Sequence, residues 1–103
     1  MPERRYLVTV AKRPPKKEAS ELLELILAAA CLDLPVLVVL CGDGVGLIEG
    51  ASAAAWLQLV EQGLAELAVL GGPAGEQGLP CGVRRIDPAA LEAARLSSVE
   101  IRA

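Results

Sequence analysis

The stretch Val36–Gly46, VLVVLCGDGVG, decides the fold of this 103-residue chain. Its first half is a continuous run of branched apolar residues, which is typical of a strand covered on both faces in a parallel sheet. Its second half is a Gly/Asp loop that ends the strand. Open α/β sheets bind ligands at the carboxyl ends of their strands. We therefore expect the loop at Gly42–Gly46 to lie at the functional edge of the sheet.

The composition limits the domain count and excludes several chemistries. A chain of 103 residues predicts a single domain, 1–103, small enough to benefit from association with other subunits. Hydrophobic residues make up 53% and aromatic residues 2%, so we expect a core of Leu, Val, Ile and Ala. The sequence has no histidine, which excludes zincin-type hydrolysis and Ser-His-Asp catalysis. We predict neither a metal nor a cofactor.

The three cysteines have different expected environments. No CxxC spacing joins them, so neither a disulfide framework nor a zinc site is predicted, and a reducing cytoplasm is the simplest location. Cys31 lies within an apolar helix and is predicted to be inert core. Cys41 lies at the mouth of the buried strand, where it can reach the crevice, although packing under the loop is favoured. Cys81, near Arg84 and Arg85, has the most favourable setting for a thiolate.

One segment, Leu22–Cys41, is apolar and long enough to cross a bilayer. It contains Glu24, and its Asp33-Leu34-Pro35 turn divides it into a helix and a strand. The preceding residues, 1–21, are polar, with charges of both signs, and do not resemble a signal peptide. We therefore predict no association with a membrane.

The charges are unevenly distributed, because the first twenty residues carry six basic and two acidic side chains. Four of the basic residues, Lys12, Arg13, Lys16 and Lys17, form a cluster that could attract a phosphate backbone or an acidic partner. No aromatic residue lies among them, which weighs against a nucleic-acid surface. We interpret the cluster as a solvated loop and first helical turn, and expect no direct binding of nucleic acid.

The pattern along the chain predicts the order β-α-β-α-β-(α)-β-α-β, with the bracketed helix no more than one turn between Pro73 and Gly78. This order requires right-handed crossovers and predicts an α/β fold, a three-layer sandwich with a mainly parallel sheet of about five strands and a flavodoxin/Rossmann-like topology. The predicted strands are Tyr6–Val10, Val36–Cys41, Leu67–Leu70, Val83–Ile86 and an edge strand through Val99 and Ile101 whose Glu100 and Arg102 form a wet face.

The helix signals vary along the chain. The first helix is expected between Pro15 and about Leu32, with Ser20 capping its most apolar part. The leucines of that part surround the helix, which favours burial against another subunit. The second helix is expected to begin with Ser52 as its N-cap, to carry a core or subunit-contact Trp56 and to end at Gly63, whereas the third begins with the cap Asp87 before Pro88.

The loop residues Gly42, Asp43, Gly44 and Val45 allow two interpretations. Their glycines would let backbone N–H groups approach an anion or a nucleotide phosphate. The loop matches neither GxxxxGK[ST] nor GxGxxG, and it has no lysine. A tight strand-to-helix turn, with Asp43 as a cap or Asx-turn residue, is therefore favoured, and a small anion-binding or nucleotide-binding protein is the alternative.

Three segments together resemble one family: the strand Tyr6–Val10, the end of the alanine-rich first helix AAACLDLPV (28–36), and LCGDGV (40–45). They resemble the DsrE/DsrF/DsrH superfamily, which includes the TusB, TusC and TusD subunits of a sulfur relay, and the resemblance extends along nearly the whole chain. It implies a DsrE-like fold and a cytoplasmic persulfide carrier or its scaffold, which serves tRNA thiolation or sulfur oxidation.

The resemblance also reveals a departure from the active members, which have a cysteine after the third strand. Aligning Glu66–Leu79 with that motif places Leu70 where the thiol would be. This departure is similar to the DsrF/TusC type, although the short chain leaves the DsrH/TusB type open. We therefore expect a non-catalytic, accessory subunit of a sulfur-relay assembly, and the alternative is a carrier that uses Cys81 or Cys41. The implied partners are a sulfur-carrier protein and either a homo-oligomer, a trimer or hexamer, or a hetero-oligomer with related subunits.

Overall fold

The computed structural model describes residues 5–12, 14–48, 53–70 and 82–102. Every strand pair within this part of the chain is parallel, and one sheet contains all five strands in the order β4-β3-β2-β1-β5. The strands are β1 Arg5–Val10, β2 Val36–Leu40, β3 Glu66–Leu70, β4 Arg84–Ile86 and β5 Ser98–Arg102. The parallel α/β sheet predicted from the sequence is confirmed.

In the described part of the chain, three α-helices cover the two faces of this sheet. They are α1 Lys16–Cys31, α2 Ala53–Glu61 and α3 Pro88–Ser97. Helices α1 and α2 pack on one face, whereas α3 packs on the opposite face. A 3₁₀ helix, Gly42–Ile48, follows β2. The predicted three layers are therefore present.

The centre of the core is β2, as the apolar run predicted. Val38, Val39 and Leu40 are completely buried. Val38 and Leu40 face α1 and α2, together with Trp56, whereas Val39 faces α3. A strand with apolar residues on both faces is stable only between two helical layers. The core position predicted for Trp56 is confirmed.

Helix ends at the amino edge of the sheet are closed by residues in the left-handed region. At the end of α2, Gly63 has φ +69°, and the Leu64 N–H donates to the Leu59 carbonyl at 2.8 Å. At the end of α1, Asp33 has φ +57°, and the Leu34 N–H donates to the Ala29 carbonyl at 3.0 Å. Both ends have the Schellman hydrogen-bond pattern.

The predicted start of α3 is also confirmed. The Asp87 carboxylate accepts a hydrogen bond from the Ala90 N–H at 2.8 Å, and Pro88 occupies the first helical position. A side-chain oxygen at this place satisfies an N–H that has no partner within the helix. The predicted cap Ser52 and the predicted turn between Pro73 and Gly78 lie outside the described residues.

Two predictions for α1 are wrong. The helix begins at Lys16, directly after Pro15, so Ser20 lies in its second turn and does not cap it. Cys31 is exposed and is not part of the core. The buried residues Leu22 and Ile26 define the inner side of α1, and Cys31 lies about 140° around the helix from Ile26.

The edge strand was assigned correctly, and Arg102 is exposed as predicted, but Glu100 is not. The strand β5 pairs with β1 at one margin of the sheet. The Glu100 side chain is only 18% exposed, because it lies beneath α3 beside Arg95, whereas Val99 on the other face is 44% exposed. Burial in this strand therefore follows the position of α3 and not the polarity of the side chains.

Candidate functional site at the carboxyl edge of the sheet

The carboxyl ends of β1 and β2 are joined through one carbonyl group. The Val10 carbonyl accepts a hydrogen bond from the Cys41 N–H at 2.9 Å. The Cys41 Sγ also lies 3.6 Å from the same oxygen, and its thiol donates to it. Cys41 is half-buried, so its side chain packs under the edge of the sheet while part of it stays accessible.

The glycine loop folds back onto the same carbonyl. A Cβ atom added to Gly44 would collide with the Val10 oxygen and would lie 2.8 Å from the Val10 carbonyl carbon. Gly42 has φ +55°, Asp43 is exposed, and Val45 packs against the core. The close approach of two backbones thus explains Gly44 without a ligand. A small anion or nucleotide at this loop stays a prediction.

Leu70 ends β3 on the face of the sheet that α3 covers. It is half-buried and packs against the small cluster of Leu7, Val39, Ala68 and Leu91. Its partner on β4 is Ile86. The register pairs Leu40 with Val69, so the next step along these strands places Leu70 beside Cys41. Neighbouring strands lie about 4.8 Å apart.

The structure separates the two described thiols. Cys41 lies at the carboxyl edge, whereas Cys31 is exposed at the end of α1, which reaches the amino edge. Cys81, the third candidate, lies outside the described residues. Of the described candidate residues, Cys41 and Leu70 therefore lie side by side, and Gly44 lies on the other side of Cys41, against Val10 of β1.

A charged cluster that the sequence did not predict lies at the carboxyl half of β5. The Glu100 carboxylate accepts hydrogen bonds from Arg95 Nε at 3.1 Å and from Thr9 Oγ1 at 3.3 Å, and Arg102 Nε lies 3.7 Å away. Desolvation raises the pKa of Glu100, but the hydrogen bond and charge of Arg95, with Arg102 and Thr9, outweigh it and lower the pKa below 4.5. The alternating pattern of β5 gave no sign of this cluster, because α3 alone brings Arg95 over the strand.

The basic residues lie on the surface at the same edge. Lys12, Lys16 and Lys17 are exposed, and Arg13 lies outside the described residues. The first turn of α1 follows Pro15, which supplies no side-chain cap. This arrangement agrees with a solvated loop and first helical turn.

A large open cavity lies at the opposite, amino edge of the sheet. Its volume is about 790 Å³, and the loops after α1 and α2 line it together with one side of α3. Among the described residues, the charged side chains that line it are Arg5, Asp33, Glu66 and Arg84, and Glu66 pairs with Arg84 at 3.3 Å. Two positive and two negative groups give this described part of the lining no net preference for an anion or a cation.

Within residues 5–12, 14–48, 53–70 and 82–102, no three His, Cys, Asp or Glu side chains are placed to hold a metal ion. In the same part of the chain, no helix has the length and apolar character required to cross a membrane.

Comparison with known proteins gives a structural match. No family model and no curated protein matches the sequence. The crystal structure of the YchN protein from E. coli is similar, with a TM-score of 0.72 and 19% sequence identity over 96% of this chain and 99% of that chain. At this identity the likeness concerns the fold alone. It agrees with the DsrE-like α/β topology that the sequence resemblance implied.

Proposed function

We propose that this chain is a non-catalytic, accessory subunit of a cytoplasmic sulfur-relay assembly that passes persulfide sulfur toward tRNA thiolation or sulfur oxidation. The proposal combines the DsrE-like fold with the sequence resemblance to the DsrF/TusC type. In this role the chain positions a sulfur-carrying neighbour and does not hold the sulfur itself.

One observation carries the proposal: Leu70 occupies the place at the end of β3 where the resemblance puts the transferring thiol. Its side chain packs with the apolar cluster beneath α3 and alongside Ile86. A leucine has no nucleophilic atom and cannot form a persulfide. In the accessory role, the transferable sulfur belongs to another protein that meets this edge.

The exposed part of α1 supports the accessory role. Leu25 is 50% exposed and Leu32, just beyond the helix, is 72% exposed, with Leu27 also accessible. Leu25 and Leu32 lie about 20° apart around the helix axis, and exposed apolar side chains that share a side are typical of surfaces that a partner covers. We propose that a related carrier subunit covers them, in a homo-oligomer, a trimer or hexamer, or in a hetero-oligomer of related chains.

The test places a thiol at the position where the family has one. Leu70→Cys is incubated with a persulfide donor, and retained sulfane sulfur is measured by intact mass. With the exposed Cys31 replaced by serine in every chain compared, the proposal predicts that Leu70→Cys gains retained sulfur that the Cys31→Ser chain lacks. Val99→Cys is the control, because Val99 is a more exposed strand residue away from this edge, so exposure alone would favour sulfur retention there. Equal retention by both variants would contradict a special role for the end of β3.

A second candidate function is sulfur transfer through Cys41. Continuation of the β2–β3 register places Cys41 beside Leu70, so its thiol lies one strand away from the position implied by the resemblance. Its Sγ donates to the Val10 carbonyl and stays partly accessible. A thiol displaced by one strand would keep the chemistry at the same edge.

The two candidates predict different alkylation rates. A carrier requires a thiol that reacts unusually fast with iodoacetamide near neutral pH. Comparing the unsubstituted chain with Cys41→Ser and Cys81→Ser would identify that thiol. The further substitution Cys31→Ser removes the alkylation of the exposed Cys31 thiol from the measured rates. The accessory role predicts slow alkylation at Cys41 and Cys81, and a fast phase that disappears in Cys41→Ser would favour the second candidate.

A further inference from the structure

We propose that the outer edge of β5 pairs, antiparallel and about a two-fold axis, with β5 of a second copy of this chain. This pairing would join two five-stranded sheets into one. It concerns a surface separate from the ends of β2 and β3, and does not depend on the proposed sulfur chemistry.

The edge of β5 is available for such a contact. Among the described residues, β5 pairs only with β1, so its outer backbone groups have no strand partner. An unpaired edge is a template for another strand unless it is short, bulged, charged along its length or interrupted by proline. The strand has five residues, SVEIR, without proline; its two charged residues, Glu100 and Arg102, have opposite signs, and Val99 is 44% exposed.

The side chains select both the occupant and the register. A two-fold axis at Ile101 places Ile101 opposite its own copy, and Glu100 opposite Arg102 of that copy in two equivalent pairs. Each residue then meets one from the same face of the sheet. Directly opposed unlike charges stabilise antiparallel strands, whereas a shift of the axis to Glu100 would oppose two carboxylates. The charge pattern of β5 is thus complementary to itself.

The other edge of the sheet lacks this property. The strand β4 has three residues, Arg84–Ile86, of which two are arginines. An axis at Arg85 would place two guanidinium groups opposite each other. The self-complementary edge is therefore β5.

The charge pairs would use groups that are already in position. The Arg102 side chain is 78% exposed, and its Nε is 3.7 Å from a Glu100 oxygen. The other oxygen of Glu100 is held by Arg95 and Thr9, which fixes the carboxylate at the edge. Little additional ordering of Glu100 would be required when the second copy binds.

The register is tested by crosslinking. With Cys31, Cys41 and Cys81 replaced by serine in the full chain, Ile101→Cys and Val99→Cys are each treated with a mild oxidant. In the proposed register the two 101 side chains face each other at about 5 Å between Cβ atoms, whereas the two 99 positions are about 13 Å apart. We expect at least about tenfold more covalent dimer from Ile101→Cys. Equal yields, or no dimer from Ile101→Cys, would overturn the proposal.

The charge pairing is tested by Arg102→Glu, which leaves the core unchanged. Sedimentation of the unsubstituted chain gives its dimer dissociation constant, and we expect Arg102→Glu to weaken dimerisation by about tenfold, because two attractive pairs become repulsive. Lys17→Glu, with the same charge change on an exposed residue of α1, should leave it unchanged. A monomeric unsubstituted chain, or equal dimerisation by both variants, would show that no second copy occupies this edge.

Discussion

The carboxyl and amino ends of the sheet both contain glycine turns, but the glycines serve different physical needs. At the carboxyl end, Gly44 lies against the Val10 carbonyl, where a Cβ atom has no space. At the amino end, a Cβ atom on Gly63 would meet nothing within 4 Å, and only its φ of +69° favours glycine. A cavity of about 790 Å³ is also at the amino end. A glycine-rich loop at a strand end is therefore not by itself a ligand site.

Gly44→Ala should have the largest effect on stability. The added methyl group would collide with the Val10 carbonyl, so β1, β2 or the 3₁₀ helix must shift. We expect a loss of about 3 kcal/mol or more in the free energy of unfolding, at the upper end for overpacking. Urea denaturation measures it, and a loss below about 1 kcal/mol would show that the two backbones do not approach so closely.

Gly63→Ala should cost less, because the strain is conformational only. An alanine in the left-handed region costs about 1–2 kcal/mol, and the space around Gly63 is open. The same urea denaturation measures this variant. If Gly63→Ala lowers the free energy of unfolding as much as Gly44→Ala, the two glycines do not serve different physical needs at the two ends of the sheet.

Asp87→Ala removes the N-cap of α3 at the carboxyl end. The Ala90 N–H would lose its 2.8 Å hydrogen bond, and we expect a loss of about 1 kcal/mol. Thermal unfolding of the variant gives the change, with Asp87→Asn as the control that keeps an accepting oxygen. If Asp87→Asn is as destabilised as Asp87→Ala, the carboxylate does not act as a cap.

Glu100→Gln should have a smaller, pH-dependent effect. The pKa of Glu100 is lowered in the folded chain, so its carboxylate stabilises the fold above its unfolded pKa near 4.5. That contribution is lost as the pH falls through the lowered value. The difference in stability between the unsubstituted chain and Glu100→Gln should therefore be present at pH 7 and disappear in acid.

The matched control for this titration is Glu92→Gln. Glu92 also contacts Arg95, but its side chain is 62% exposed, and exposed ion pairs contribute little. The stability of Glu92→Gln should be almost the same as that of the unsubstituted chain, both at pH 7 and in acid. If both variants behave alike, the burial of Glu100 beneath α3 has no energetic consequence.

The sequence predicted those features that depend on neighbours along the chain. The apolar run of β2 is buried on both faces, Asp87 caps α3 and Gly63 closes α2, because each signal lies within a few residues of its effect. The parallel sheet followed from the alternation of helices and strands, since parallel connections cross over in one hand, whereas the strand order β4-β3-β2-β1-β5 came from the structure alone.

Features that depend on packing between distant elements were not predictable. Apolar residues surround α1, but the sheet covers only one side of this helix. The sequence alone therefore predicted that Cys31 is in the core, whereas it is exposed. Glu100 was expected to be wet, but α3 brings Arg95 over it. The adjacency of Cys41 and Leu70 required the register of β2 and β3.

The central claim is that this chain lacks a transferring thiol of its own. The most direct test is to incubate the Cys31→Ser chain, which lacks the exposed background thiol, with a persulfide donor and to count retained sulfur atoms per chain by intact mass. The account predicts no retained sulfur at Cys41 or Cys81. Retention of one sulfur atom per chain, lost when Cys41 or Cys81 is replaced by serine, would contradict it.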